Sequence, residues 1–545
     1  MKTHQIFCSF VILCHILTVT STPRYIADEN ITINCGFSGN SKAIDEREWI
    51  GDIGSKFAPT EEPNHKSNTS TAEIQGTSVA VPYVTARLSN WQFTYVFPVT
   101  PGPKFVRLYF YSASYSGFQR SKDFFTVKVG SFTLLANFSA SILANSSGHS
   151  NIYKEFCINV DKSQKLNLTF IPFSSNYYAF INGIEIVSMP KDLYYRPHSV
   201  ANGEELIPAY VGQASQFYIY NSMALEMVYR LNVGGGSISP TDDTGMFRQW
   251  SDGTDYLLSE GVNPHLVSIT LHYLYVPNYT APDAVYLSAI SMGPNSTRNL
   301  VSNLTWGLPV DTGFNYLVRL HFCEIEARII IPEARRFTIY IDYQLAEEDA
   351  DVVGWTDGKY RPYFKDYVVM IRNKGESKHL LSIDLTPISD SDLKDAILNG
   401  VEVFKLSDQY GNLAGPNMVP PPLDQEPAPA ANESKTKKAI FIAIGSGLSI
   451  LVVLTLVCCM VLCKLKKTRR FGSCHPLAKW WCRSRLDPYK REFPRRTASS
   501  LPGELCRYFR LDEIKTACNN FDEDLIIGVG GFGNVYKGLI EQGNV

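Results

Sequence analysis

Five short segments recur once each along the chain, in the same order and about 200–217 residues further on. The clearest pairs are KFVRLYFYS at 104–112 with YLVRLHFCE at 316–324, and INGIEIVSMP at 181–190 with LNGVEVFKLS at 398–407. Three weaker pairs join FTVKV to FTIYI, INCG to LNVGG, and REWIGD to RQWSDG. A constant order and offset are typical of a duplicated unit. The repeat predicts two copies of one domain, at 23–205 and 225–408.

An uncharged run of apolar residues at 439–463 constrains the topology of the chain. As a helix of about 37 Å it is long enough to cross a bilayer with some tilt. The basic cluster KLKKTRR follows at once, which predicts that the downstream side faces the cytosol. Residues 1–22 have a basic start and an apolar run, the pattern of a secretory signal peptide. We therefore expect a single-pass protein with an extracellular N-terminus, and an extended, Pro-rich stalk at 409–438.

The sequons for N-glycosylation support this topology, because all of them precede the apolar run. A sequon can be used only on the lumenal side of the membrane. The candidate glycosylation sites are Asn30, Asn68, Asn137, Asn145, Asn167, Asn278, Asn295, Asn303 and Asn432.

The repeated part is predicted to be all-β. Short alternating runs such as DFFTVKVG and KLNLTFIPF are separated by turn residues, and no sustained helical period appears. Two tandem β-sandwich domains fit this pattern best. Only Cys35, Cys157 and Cys323 lie in this part, so at most one disulfide can form, and hydrophobic cores must stabilise the domains.

Several landmark segments together resemble the malectin-like domain pair of plant receptor kinases of the FERONIA type. They are INCG, VRLYFY, LNVGG, APDAVYLSAISMG, LTWGLPVDTGFNYLVRLHFCEI and ILNGVEVFKLS. The resemblance implies two malectin-like domains outside the plasma membrane and a Ser/Thr kinase inside. It further implies binding of secreted peptides of the rapid-alkalinization type, often with a glycosylphosphatidylinositol-anchored co-receptor. Some members of the family contact wall pectin, and the receptors monitor growth and the cell wall.

A glycine-rich loop lies close to the end of the sequence and fits the kinase that the resemblance implies. The pattern G-x-G-x-x-G-x-V is followed by NVYKGLIEQGN, which reads as a strand and a turn. A dinucleotide-binding turn would need a helix there, so the kinase hairpin explains the pattern better. The candidate nucleotide-binding residues are Ile527, Gly528, Val529, Gly530, Gly531, Phe532, Gly533 and Val535.

The kinase segment at 521–545 contains no third-strand lysine, catalytic aspartate or metal-binding DFG motif. We expect the complete protein to use ATP and Mg, and the sequence as given to transfer no phosphate. The sequence is interpreted as a fragment of a longer kinase. The alternative is a kinase-less membrane-bound binding protein or decoy receptor with a lectin-like ectodomain.

Other side chains are weaker candidates. Tyr111, Tyr115 and Tyr178 belong to an aromatic-rich region and are candidates for stacking on sugar rings. Thr497, Ser499 and Ser500 follow two arginines in the basic juxtamembrane segment at 464–520 and are candidate phosphorylation sites. His321 and Cys323 are spaced like two metal ligands, but a core role for Cys323 fits better, and no metal is expected. The acidic run EEDAD at 347–351 is interpreted as a polar loop that could meet a basic peptide.

Overall fold

The computed structural model describes residues 25–73, 80–196 and 207–415, together with short pieces at 515–517, 521–522, 526–530 and 533–537. Residues up to Pro427 belong to one compact unit, and Ala428–Val545 belong to a second. The described part of the first unit contains twenty-eight strands and four short α-helices. The prediction of an all-β ectodomain is therefore confirmed.

The strands of the first repeat are β1 Asn30–Ser38, β2 Asn40–Lys42, β3 Glu48–Ile53, β4 Thr60–Glu61, β5 Asn68–Glu73, β6 Thr85–Ser89, β7 Phe93–Pro98, β8 Gly102–Tyr111, β9 Ser114–Tyr115, β10 Phe125–Val129, β11 Phe132–Phe138, β12 Asn151–Val160, β13 Lys165–Pro172, β14 Ala179–Ile181 and β15 Gly183–Ser188. Its helix is α1 Ala140–Ser147. Ser139 caps the start of α1 by accepting a hydrogen bond from the Ile142 amide, and Gly148 ends it in the left-handed region.

The connection and the second repeat contain β16 Ala209–Tyr210, β17 Ser215–Gln216, β18 Leu225–Asn232, β19 Asn263–Leu266, β20 Ser288–Ser291, β21 Leu304–Asp311, β22 Phe314–Phe322, β23 Phe337–Ile341, β24 Gln344–Ala350, β25 Tyr363–Ile371, β26 Lys378–Pro387, β27 Ile397–Leu398 and β28 Gly400–Leu406. The helices are α2 Asp283–Tyr286, α3 Ser296–Asn299 and α4 Val352–Thr356.

One twelve-stranded sheet runs through both repeats, in the order β17-β16-β25-β22-β28-β18-β12-β8-β15-β1-β3-β2. The repeats meet where β12 pairs with β18 in antiparallel register, from Cys157 opposite Leu225 to Glu155 opposite Met227. The first repeat adds the sheets β11-β10-β13-β7-β4 and β14-β6-β5-β9. The second adds β21-β26-β23-β24 and β19-β20-β27. Backbone hydrogen bonds therefore join the two repeats directly.

Three large hydrophobic clusters pack against the shared sheet. Strand β8 shows the arrangement, because Val106 and Leu108 enter the core of the first repeat while Phe105 enters a cluster that contains residues of both repeats. Alternate side chains of a strand point to opposite faces, so this sheet is covered on both sides here. The cluster of mixed origin also contains Leu317 of β22 and Tyr195 of the connection, and a separate core fills the second repeat.

Equivalent residues of the two repeats make equivalent contacts. Gly36 and Gly234 both have positive φ, and a Cβ atom on either would lie within 2.3 Å of a backbone oxygen. Only glycine fits such a position without a backbone shift. The side-chain oxygens of Asn182 and Asn399 each accept a hydrogen bond from a backbone amide at 2.7 Å. The duplication that the sequence indicates is thus also found in individual contacts of the structure.

The chain returns to the first repeat after the second is complete. The amide of Thr133 on β11 donates to the oxygen of Gly411 at 3.0 Å, and the amide of Leu413 donates to the oxygen of Thr133 at 2.9 Å. Leu413 is fully buried in the core of the first repeat. The predicted stalk boundary at 409 is therefore too early, because an apolar residue in this stretch adds to a core.

Candidate functional site

A chain of buried charges crosses the junction between the repeats. Arg107 of β8 donates to Glu155 at 2.7 Å and to Glu185 at 2.9 Å. Arg230 of β18 donates to Glu155 and to Glu402, each at 2.8 Å. All five side chains are inaccessible to solvent. Arg230 is the link, because it binds one carboxylate from each repeat.

The electrostatics of this charge chain favour the ionised state. Burial raises the pKa of Glu155, but the guanidinium groups of Arg230 and Arg107 more than offset this effect and lower the pKa to about 2. Burial also opposes ionisation of Glu402, yet Arg230 and His321 lower its pKa below the usual range. Buried ion pairs of this kind are weak sources of net stability, but breaking one is costly. We infer that the charge chain fixes the relative placement of the repeats.

His321 is part of this charge chain and is not free to bind a metal. Its Nε2 lies 3.1 Å from Glu402, and its Nδ1 lies 2.9 Å from the hydroxyl of Tyr286. Burial lowers the pKa of His321, so the neutral ring donates from Nε2 and accepts at Nδ1. Cys323 is fully buried, and burial raises the pKa of its thiol. The core role of Cys323 is confirmed, and no metal-binding group occurs among the described residues.

The three tyrosines proposed for sugar stacking are buried, and the structure contradicts that interpretation. Tyr111, Tyr115 and Tyr178 are 9%, 2% and 2% exposed. The Tyr115 hydroxyl donates to the backbone oxygen of Tyr111 and accepts from the side chain of Asn182. The ring of Tyr178 packs edge-on against Phe118. Surrounding side chains cover all three rings, so none presents an open face to a sugar.

Eight of the nine candidate glycosylation sites lie among the described residues, and none of these eight is fully buried. Six side chains are exposed, and those of Asn137 and Asn278 are half-buried. The exposed ones are Asn30, Asn68, Asn145, Asn167, Asn295 and Asn303. Asn432 lies outside the described residues. Glycosylation stays a prediction that the surface positions support.

The glycine-rich segment forms a hairpin of two strands, β29 Ile526–Gly530 and β30 Gly533–Tyr536. They are antiparallel, with Gly528 opposite Val535 and Gly530 opposite Gly533. The second strand agrees with the strand predicted for NVYK, while Gly531, Phe532 and the turn predicted after it lie outside the described residues. Nucleotide binding stays a prediction.

The predicted membrane span and signal peptide lie outside the described residues, as do Thr497, Ser499 and Ser500. Among the helices that the structure describes, none has the length and apolar character needed to span a bilayer.

Residues 347–350 of the acidic run lie in strand β24 and Asp351 caps helix α4, so the interpretation of the run as a loop is wrong. Glu347 and Asp349 belong to β24, the last strand of its sheet. Glu347 pairs with Lys365, and Asp349 pairs with Arg336.

The buried charge chain was also missed by sequence reasoning. Its signal was present, since charged residues stand at matching positions within apolar strands of both repeats.

Comparisons with known proteins agree with the fold. The family model described as "Malectin-like domain" matches residues 33–406. The receptor-like protein kinase FERONIA of Arabidopsis thaliana is 41% identical over 98% of this chain and 61% of its own length. The receptor-like protein kinase ANXUR1 of the same plant is 34% identical over 94% of this chain and 60% of its own length. The chain thus spans about three-fifths of the length of these curated relatives.

Solved structures give the same result. A crystal structure of the plant receptor-like kinase FER is 44% identical and matches 72% of this chain and all of that chain, with a TM-score of 0.64. A second match, at 43% identity and a TM-score of 0.64, covers 73% of this chain and all of a chain in the crystal structure of the plant peptide RALF23 in complex with FER and LLG2. The chain belongs to the malectin-like domain family and is a homologue of FERONIA and related receptor-like kinases.

Proposed function

We propose that this chain is the outer and membrane-proximal part of a plasma-membrane receptor-like Ser/Thr kinase. Its ectodomain binds a secreted peptide of the rapid-alkalinization type together with a glycosylphosphatidylinositol-anchored co-receptor, and it controls growth or wall integrity. The observation that carries the proposal is the match of 73% of this chain to the whole of a chain in the crystal structure of RALF23 in complex with FER and LLG2. An identity of 43% over this length supports a similar binding role for this chain.

The architecture supports a binding role. The ionisable groups buried at the junction are paired with one another, and they hold two domains in one body. A junction of this kind restrains the placement of surface loops and edges, which reduces the entropic cost of binding.

The intracellular part of the proposal rests on the glycine-rich hairpin. In the complete protein its backbone amides would hold the phosphates of ATP, and Mg would supply positive charge that stabilises phosphoryl transfer. The remaining catalytic groups would come from kinase elements beyond this segment. A site for wall carbohydrate would have to use other residues, because the tyrosines named for it are buried.

The proposal is tested by biolayer interferometry with the purified full chain, a RALF23-type peptide and an LLG-type co-receptor. We expect weak binding of either partner alone and a stable ternary complex when both are present. A peptide with the same composition in scrambled order is the control. Failure to form a complex with both partners at micromolar concentrations would contradict the proposed function.

A further inference from the structure

We propose that the outer edge of β24 in the second repeat is a docking site for an extended, basic polypeptide segment that pairs with it as an added strand. The inference goes beyond the proposed function, because it rests on a difference between the two repeats and not on any known complex.

The hairpins β10–β11 and β23–β24 are built alike. Each residue number in the second hairpin equals its counterpart in the first plus 212, and the irregularities fall at the same places. The matched pairs are Val129–Phe132 with Ile341–Gln344, Lys128–Thr133 with Tyr340–Leu345, Val127–Leu135 with Ile339–Glu347, and Phe125–Phe138 with Phe337–Ala350. Leu345 therefore occupies the place of Thr133.

The outer edge of the first hairpin is already covered by the chain itself. Both backbone groups of Thr133 point outward and bond to Gly411 and Leu413, which lie alongside β11 in parallel direction. This pairing continues the sheet and buries the side chain of Leu413. The fold thus shows how an added segment fits at this position.

Among the described residues, none covers the outer edge of the second hairpin in this way. β24 ends its sheet, and within 25–73, 80–196 and 207–415 no segment pairs with its outer side. In an antiparallel ladder, residues whose backbone groups do not face the partner strand point them outward. Because Thr133 has that orientation, we assign it to Leu345 as well. The side chains of Leu345 and Tyr343 are 50% and 75% exposed, which leaves apolar surface beside the edge.

The composition of β24 indicates what kind of segment it would accept. The strand reads QLAEEDA, with three carboxylates and no basic residue. Lys365 and Arg336 already pair with Glu347 and Asp349, while Glu348 is exposed and has no ion-pair partner among the described residues. Charge complementarity favours a basic partner, and Leu345 with Tyr343 favours apolar residues on one of its faces.

Two observations argue against other occupants. A second copy of β24 would place carboxylates opposite carboxylates, which destabilises a strand pair. The matching edge of the first repeat carries the candidate glycosylation site Asn137, whereas Asp349 stands at that position in β24. The free edge therefore lacks the sequon that would place a glycan over it.

The test uses a synthetic nine-residue peptide of alternating lysine and valine and the purified full chain, with binding measured by fluorescence anisotropy. Two N-methylated versions are compared, one methylated at the lysines and the other at the valines. We expect one version to lose binding and the other to keep it, because only one edge of the peptide donates hydrogen bonds to β24. Equal affinity of both methylated peptides, or no binding of the parent peptide, would overturn the proposal.

Two variants locate the site. Leu345→Pro removes an outward N–H without removing a bond to β23, and we expect about tenfold weaker binding. Glu348→Lys should weaken binding by a similar factor, whereas Glu260→Lys, an exposed carboxylate elsewhere in the second repeat, should leave it unchanged. Glu348→Lys keeps the test valid if the proline variant does not fold.

Sedimentation of the chain without peptide tests whether a second copy of the chain occupies the edge of β24. Self-association that Leu345→Pro abolishes would make a second copy the occupant and overturn the proposal. The probe peptide is not a secreted signal, so its failure to bind would leave the proposed receptor function intact. Failure to form the ternary complex would likewise leave the proposed docking site at β24 intact.

Discussion

The two repeats share one domain plan but use matching strands differently. In the first repeat β1 pairs with β15 on one side and with β3 on the other. In the second repeat the equivalent strand β18 pairs with β28, and it begins earlier relative to the repeat, at Leu225. The additional residues 225–227 are the ones that pair with β12 of the first repeat. A short extension of one strand thus turns two domains into one sheet.

Strands β1 and β18 carry different polar side chains at one matching buried position. Thr32 of β1 donates to the backbone oxygen of Glu48 at 2.6 Å, whereas its counterpart Arg230 binds Glu155 and Glu402. A position with a local role in the first repeat holds the link between repeats in the second. Arg230 thus adds a buried polar link to a junction that also contains paired strands and a hydrophobic cluster, and substitutions can test its contribution.

The largest effect is expected for Arg230→Met. Removal of the guanidinium leaves two buried carboxylates without their shared partner, so we expect a loss of about 3–5 kcal/mol of unfolding free energy. Thr32→Ala, the matched control, removes a single neutral hydrogen bond and should cost about 1 kcal/mol. Urea denaturation followed by tryptophan fluorescence measures both. Equal costs would show that Arg230 has no special role at the junction.

Acid should weaken the junction through Glu155. Its folded-state pKa of about 2 lies below its value in the unfolded chain, so its contribution to stability is complete at neutral pH and decreases as the pH falls from about 5 towards 2. The contribution is on the order of 3 kcal/mol. Unfolding free energies measured across this pH window should fall less steeply for Glu155→Gln. A parallel pH dependence in both proteins would contradict the assignment.

The covered and the free hairpin edges should respond differently to loss of a leucine. Leu413→Ala removes a buried side chain from the core of the first repeat and should cost at least about 2 kcal/mol. Leu345→Ala changes a half-exposed side chain and should cost less than about 0.5 kcal/mol. Thermal unfolding of the two variants under the same conditions makes the comparison. Similar costs would mean that the edge of β24 is covered.

The smallest difference is expected at the paired glycines. Gly36→Ala and Gly234→Ala each place a Cβ atom against a backbone oxygen at a residue with positive φ. Each should cost more than about 1 kcal/mol, and by nearly the same amount, because the two sites have the same geometry. Calorimetric unfolding of the two variants checks this. A large difference between them would show that the repeats are less alike than their contacts indicate.

The sequence predicts the strands well, because alternation and turn residues are local signals. KFVRLYFYSAS, DFFTVKVG and KLNLTFIPF correspond to β8, β10 and β13. The order of the repeated segments also predicts the duplication. Pairing of β12 with β18 is not a local property, since the paired residues lie about 70 positions apart. No pattern in either segment identifies the other as its partner.

The tyrosine candidates illustrate a second limit. A pattern of aromatic residues indicates apolar surface, but it does not show whether one or both faces of a strand are covered. Tyr109 and Tyr111 share a face of β8, and that face is covered as well, by Tyr83 among others. The burial of Tyr111 therefore depends on a distant segment that sequence reasoning had not placed.

Amide hydrogen exchange of the full chain, followed by mass spectrometry, distinguishes the shared sheet and the covered edge from the exposed edge of β24. We expect strong protection at 225–227, where the repeats share a sheet, and at Thr133, where the chain covers its own edge. We expect fast exchange at Leu345, which slows when the alternating lysine and valine peptide is added. Strong protection of Leu345 without the peptide, or fast exchange at 225–227, would contradict the account.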